Sequence, residues 1–187
     1  LDASASRLHC QEVIAAQGSI LAQSLAACGI PVRVSCFSSL RGYTVLRVLK
    51  GFKEKSLQGI CQYFASGWNR DGLALRGMEE LMQSAPAEKH LLLILTDANP
   101  DDSHRIPPNG KNPISREYDG KAGVEDTADE AAVLRRQGIR PVCIFTGSDQ
   151  ELDSARRIYG AAVERIPTAG WLADAVSRLL CAQLTRT

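Results

Sequence analysis

No run in this sequence approaches the roughly 20 consecutive apolar residues that a membrane-spanning helix needs, and its start lacks the charge and apolar pattern of a signal peptide. Excess charge is missing too. Lys and Arg number 22 against 21 Asp and Glu, a net charge of +1, so no overall field draws the chain to nucleic acid or to a membrane surface. Any charged site must be local. Cys10, Cys28, Cys36, Cys61, Cys143 and Cys181 lie far apart, form no C-x-x-C pair and mostly fall inside apolar runs. They read as reduced core thiols, which suit a cytoplasmic protein better than a secreted one. The three histidines, His9, His90 and His104, show no metal-ligand spacing and read as structural or solvated. Also missing are a phosphate loop of the G-x-x-x-x-G-K type, a G-x-S-x-G elbow and an H-E-x-x-H pair, which leaves no general base or nucleophile in an obvious place.

What is present is the composition of one globular domain over residues 1–187, with 44% hydrophobic and 23% charged residues, enough to bury a substantial core. The central stretch is Leu91–Asp102, LLLILTDANPDD. A short branched apolar run that stops at Thr96 and Asp97 predicts a buried parallel strand, and ligands bind beyond the carboxyl ends of such strands. A carboxylate at that point needs a partner.

In chain order, a helix is expected from about Arg7 to Ala27, closed by Gly29 as a left-handed cap. Strands are expected over 31–38 and 42–49. The short SSLRG connection between them implies an antiparallel hairpin with the second strand at the sheet edge, and Arg33 and Arg47 are expected to be solvated. Helices are expected over 53–64 and 73–84, separated by the polar turn WNRDG, and a strand over 90–95. The loop 98–121 is long enough to be functional or disordered. Asp101 and Asp102 at its start either add charge to a site or are simply solvated. A helix over 124–137, a buried strand over 141–145, a short helix over 150–158, a weak strand over 162–166 and a last helix over 169–184 complete the pattern. Arg135, Arg136 and Arg140 fit a solvated face and helix-terminal charges better than a nucleic-acid patch. Alternating strands and helices predict an α/β fold with a mostly parallel sheet covered on both faces.

Three polar segments remain: Asp2-Ala3-Ser4-Ala5-Ser6, the Asn69-Arg70-Asp71-Gly72 turn, and Thr96-Asp97-Ala98-Asn99-Pro100-Asp101-Asp102. Helix capping explains one hydroxyl at Ser4 or Ser6, but the alternation Asp2, Ser4, Ser6 supplies three oxygen side chains where a cap needs one. Asn69 and Asp71 read alone as turn and cap residues.

Together, and in this order, the segments resemble the von Willebrand factor A (VWA) domain, whose metal-ion-dependent adhesion site combines D-x-S-x-S, a later Thr and an Asp after a buried strand. The likeness spans essentially the whole chain. It implies a Rossmann-like three-layer α/β/α fold, and a metal site in which Ser4 and Ser6 ligate directly while Asp2 and Asp97 hold coordinated water and balance charge. Asn69 stands where the family has Thr and could offer its amide oxygen, with Asp71 adding charge. Hard oxygen donors favour Mg²⁺, with Mn²⁺ as the alternative, and the family's open metal position takes an acidic side chain from a protein partner. TDANPDD and YDGKAGVEDTADEAAVLRRQGI are further similar to the VWA domains of the nitric oxide reductase activation type, NorD, and more distantly to those of the cobalt chelatase CobT type. That likeness implies work alongside a MoxR-type AAA+ ATPase.

The function expected is a metal-dependent protein-binding module and not an enzyme. A Mg²⁺-dependent hydrolase or phosphoryl-transfer enzyme, or an extracellular adhesion domain, are the alternatives. The family's sheet order, 3-2-1-4-5-6, places a central strand immediately before Asp2, where this chain has only Leu1. The chain is therefore expected to be the C-terminal part of a longer protein. A gap, or a borrowed strand, is expected between the strand that begins near Val32 and the one around Leu93. Exposed strand edges there would favour aggregation or swapping.

Overall fold

The computed structural model describes residues 1–110, 112–166, 171–172 and 174–178. Two strands, β1 (Val34–Leu40) and β2 (Tyr43–Lys50), form the expected antiparallel hairpin. Its tight turn places Arg41 and Gly42 at φ 50° and 83°, the pair of left-handed residues that a two-residue hairpin requires. A parallel sheet joins β3 (His90–Thr96) to β6 (Ile139–Phe145), and β6 to β7 (Val163–Arg165). Helix α1 (Gln11–Ala27) follows a 3₁₀ turn over Ala5–Cys10 and ends as expected, with Gly29 at φ 74°. Helices α2 (Asp71–Met82), α3 (Gly120–Arg136) and α4 (Leu152–Tyr159) complete the described elements apart from one small hairpin.

Adjacent residues on the strands enter opposite cores. Cys36, Leu95, Val142 and Ile144 pack with Ile14 and Leu21 of α1. Phe37, Ile94, Cys143 and Phe145 pack with Leu75 of α2, Leu134 of α3 and Ile158 of α4. A period of two with both faces apolar is the mark of a strand buried between helical layers, and it makes the molecule a three-layer α/β/α sandwich.

The expected gap is present. Among the described residues β1 and β3 do not pair with each other. Among the described residues only Leu1–Ala3 stand between them, at the carboxyl end: Phe37 N–H donates to Leu1 O, Ala3 N–H to Phe37 O, and Asp2 N–H to Leu95 O at 2.9 Å. The order is thus β2-β1-(Leu1–Ala3)-β3-β6-β7, which is the expected 3-2-1-4-5-6 with the first position held by three residues. Below them lies a cavity of ≈ 110 Å³ bordered by Leu21, Leu25, Val34, Met82 and Leu93.

Several expectations need correction. The stretch 53–64 is not an α-helix but an irregular loop with a short 3₁₀ turn over Gln58–Gln62. A Cβ on Gly59 would overlap the Leu49 carbonyl oxygen, so this segment lies directly against the β2 backbone, and that close approach overrides helix propensity. Gly59→Ala should therefore cost about 1–3 kcal/mol in a urea melt. Gly110→Ala, whose added methyl meets nothing within 4 Å among the described residues, should be near neutral. The long loop 98–121 contains a hairpin, β4 (Asp102–Ile106) with β5 (Arg116–Tyr118). Arg33 is not simply solvated, since it donates to Leu81 O and Ser84 Oγ and stacks on Phe52, while Arg47 reaches Gln62 O. The five described cysteines are free, but only Cys36 and Cys143 are buried, and Cys28 and Cys61 are exposed. Cys181 and most of the expected last helix lie outside the described residues, although 172 and 174–178 are helical.

Candidate functional site

The carboxyl ends of the parallel strands carry the polar cluster. Asp2 is fully buried there. Its Oδ1 accepts the Ser4 N–H at 2.9 Å, its Oδ2 accepts the Thr96 hydroxyl at 3.0 Å, and its carbonyl accepts the Tyr63 hydroxyl at 2.5 Å. The alternation D-x-S makes this possible, because an Asp carboxylate bonds readily to the backbone N–H two residues on. Ser4 is buried at the start of the 3₁₀ turn, yet its side chain makes no capping bond. Capping, the bland explanation of this hydroxyl, does not hold. Instead Ser4 Oγ lies 3.0 Å from Ser6 Oγ, and Ser6 donates to Asp97 Oδ2 at 2.9 Å.

Asp97 leaves β3 through a sharp turn. Ala98 takes a left-handed φ of 54°, uncommon for a residue with a Cβ, and it is held by its N–H donating to Thr96 Oγ1, with Asn99 N–H donating to Asp97 Oδ1. The Asn69 turn docks alongside by paired backbone bonds with Asp101, and Asn69 Nδ2 donates to Asp71 Oδ1 at 3.0 Å and to Asn99 O. Asp71 opens α2, where the helix dipole favours a negative charge. Its Oδ2 is buried and has no hydrogen-bond partner among the described residues.

Six expected residues are therefore brought to one end of the sheet: Asp2, Ser4, Ser6, Asn69, Asp71 and Asp97. The electrostatics are strained. Burial, then the nearby Asp97, pushes the Asp2 carboxyl above its usual value. Burial, then Asp2 and Asp97, pushes Asp71 well above it. Among the described residues the cation hydrogen-bonded to any of these three buried carboxyls is Arg7, whose Nη2 lies 2.5 Å from Asp97 Oδ2. Among the described residues no three His, Cys, Asp or Glu side chains form a ready metal cage, so a cation here depends on the Ser4 and Ser6 hydroxyls as well. Hard oxygen donors, an orphaned carboxylate oxygen and surplus negative charge fit a Mg²⁺- or Mn²⁺-type ion.

Asp102 does not join the cluster. It accepts the His104 N–H at 2.8 Å and starts β4. Asp101 contributes its backbone to the Asn69 turn, and burial with neighbouring Asp119 and Asp102 raises its carboxyl. His90 bonds Ala87 O, and His104 is exposed beside Asp102. Sequence reasoning assigned no site role to Arg7, Thr146 or Tyr63. Arg7 directly follows the D-x-S-x-S motif, and Thr146 follows β6 as Asp97 follows β3. The parallel register Thr96↔Phe145 sets those two positions side by side.

No family model matches the chain. Over 130 residues, 67% of this chain, it is 33% identical to Protein NorD of Stutzerimonas stutzeri, and the match spans 19% of that protein, so the chain covers about a fifth of its curated relative. Among solved structures, the vWF domain of the type V pili tip protein Mfa5 of Porphyromonas gingivalis superimposes with a TM-score of 0.70 over 100% of this chain and 94% of that one, at 12% identity. The manganese-loaded TRAP protein of Plasmodium vivax gives 0.67 over 96% and 70%, at 14% identity. Those identities speak to fold alone. With the strand order and the polar cluster already described, the chain has the von Willebrand factor A fold, and in sequence it is similar to a segment of NorD.

Proposed function

We propose that this chain is a divalent-cation-dependent protein-binding module without catalytic activity of its own. The observation that carries this is the pair of linked Ser4 and Ser6 hydroxyls bonded to Asp97 at the strand ends, with Asp2 bonded to the Ser4 N–H and one oxygen of the buried Asp71 left without a partner among the described residues. Ser4, Ser6 and the Asn69 amide oxygen are the candidate direct ligands. Asp2 and Asp97 set the hydroxyls in place and, with Asp71, balance the charge. Mg²⁺ is the proposed ion, with Mn²⁺ able to replace it. When bound, the ion would supply an electrophilic position for an acidic side chain of a partner protein. The exposed Trp68 and Leu40, beside the Asn69 turn and at the end of β1, would offer apolar contact to the same partner.

Against an enzyme, the Cys10 thiol donates to Arg7 O while burial raises its pKa. A thiol held protonated is a poor nucleophile. Likeness to NorD supports an adaptor working with a MoxR-type AAA+ ATPase on a target enzyme. Free cysteines suit a cytoplasmic setting, and among the described residues no helix is long and apolar enough to cross a membrane.

Binding of a MoxR-type ATPase to the immobilised chain tests this reading. Asp2→Ala and Ser4→Ala should each weaken binding at least about tenfold, as should EDTA, because each removes an element of the cation site. Binding that survived both substitutions and the chelator would rule out a metal bridge.

A further inference from the structure

Arg7 is the charged residue of the cluster whose chemistry the proposed function does not use. The residue is 7% exposed in the fold and its guanidinium donates three ways: Nη2 to Asp97 Oδ2 at 2.5 Å, Nε to Ser6 Oγ at 3.3 Å and Nη1 to Thr146 Oγ1 at 3.2 Å. Two of those acceptors belong to the cation site. We infer that Arg7 is a tethered counter-ion that competes with the divalent cation, so that loading the site and releasing Arg7 from Asp97 are one event. This rests on the cation-site reading above.

Hydroxyl accounting supports it. A serine oxygen offers one proton and two lone pairs. Ser6 gives its proton to Asp97, so the Ser4 hydroxyl must donate to Ser6, and Nε of Arg7 takes the remaining lone pair. Ser6 therefore has no lone pair free for a cation until a neighbour lets go. Rotating the Ser4 hydroxyl would free one, but that leaves a guanidinium beside an incoming divalent charge in a partly buried setting, where repulsion is screened less than at an open surface. Asp97 Oδ2 is likewise taken by two donors, Ser6 and Arg7. The exit route is short. Arg7 lies on a 3₁₀ turn, whose hydrogen bonds are weaker than those of an α-helix, between the exposed residues Ser6 and Leu8. Thr146, on a different strand end, is the latch that holds the guanidinium inward.

The test is a Mn²⁺ titration of the 187-residue chain by calorimetry, paired with thermal melts in EDTA and in saturating Mn²⁺. Arg7→Met should tighten Mn²⁺ binding at least about tenfold, a typical size for coupling between two exclusive occupants. It should also melt earlier than the parent in EDTA and show a larger Mn²⁺-induced rise. Thr146→Val, which keeps the charge and loosens only the latch, should shift affinity in the same direction by about two- to fivefold, and it serves if Arg7→Met does not fold. Equal affinities in parent and variants would overturn the role given to Arg7 while leaving the cation site standing. Weaker binding in Arg7→Met would overturn it too, and would make Arg7 a residue that positions Asp97. Absence of Mn²⁺ binding in parent and variants alike would overturn the cation site itself.

Discussion

Asp97→Ala, measured by urea unfolding in EDTA, should lose about 3–5 kcal/mol of stability, because it strips the partner from a buried cation. The Arg7 and Asp97 side chains are 8% and 2% exposed, so water reaches the pair poorly and does not replace the lost contact. After the substitution the guanidinium keeps only the neutral Ser6 and Thr146 oxygens, neither of which carries a charge. Ser6 loses its acceptor and Asn99 N–H its anchor at the same time. Arg7→Met/Asp97→Ala should recover much of the loss, since removing both ions of a buried pair costs far less than removing one. The coupling from that double-mutant cycle should exceed about 1 kcal/mol, the level expected of residues in one buried network. Additive losses would mean that the pair is not formed in solution.

The frame of this fold was legible because each strand is buried on both sides. Leu91–Leu95 and Pro141–Phe145 have no alternation to read, yet their short length, their branched residues and the flanking polar stops identify parallel strands. The strand order followed from family resemblance, and the gap beside Leu1–Ala3 followed from the order. The stretch 53–64 was misread because its apolar spacing resembles a helix, while its conformation is set by a contact distant in sequence, Gly59 against Leu49 O. The β4–β5 hairpin was missed for a different reason. Its strands are short, and Pro107, Pro108 and Pro113 between them mask any period of two.

The oxygen donors were legible for a similar reason: D-x-S-x-S and T-D place them within a few residues, and local turn chemistry aims them. What could not be read was the counter-charge. Arg7 looks like the first polar residue of a helix, and only the β3–β6 register brings Thr146 and Asp97 within its reach. An ordinary surface arginine and this one are indistinguishable until the sheet is assembled. That difference decides the electrostatics of the site, because without Arg7 three buried carboxylates would have no cation among the described side chains that hydrogen-bond them.

Asp71→Asn should act in the opposite sense to Asp97→Ala. Asp71 has no cation beside it among the described contacts, its Oδ2 lacks a partner, and burial together with Asp2 and Asp97 lifts its carboxyl well above the ordinary value. Burial beside Asp2 and Asp97 opposes a charge at this position, and the isosteric amide carries none, so the substitution should stabilise the chain in EDTA by about 1 kcal/mol, an ordinary size for a single substitution. The pH dependence follows from the same shift. Asp2 and Asp71 both titrate higher folded than at their usual value of 3.8. The folded state therefore holds their protons more tightly, and the resulting stability is fully present below 3.8 and lost as pH rises through the raised folded values. The chelated parent should gain stability from these two groups on acidification from neutral pH, and the gain should be smaller in Asp71→Asn. With Mn²⁺ present the slope should reverse, because protons compete with the cation for the same carboxylates. Asp71→Asn should also weaken Mn²⁺ binding about tenfold or more, as expected when a charged group supporting a metal site is neutralised. A variant that is stabler without metal and poorer at holding it would place Asp71 in the cation site. Loss of stability in EDTA with unchanged Mn²⁺ affinity would make it a structural residue of the α2 start.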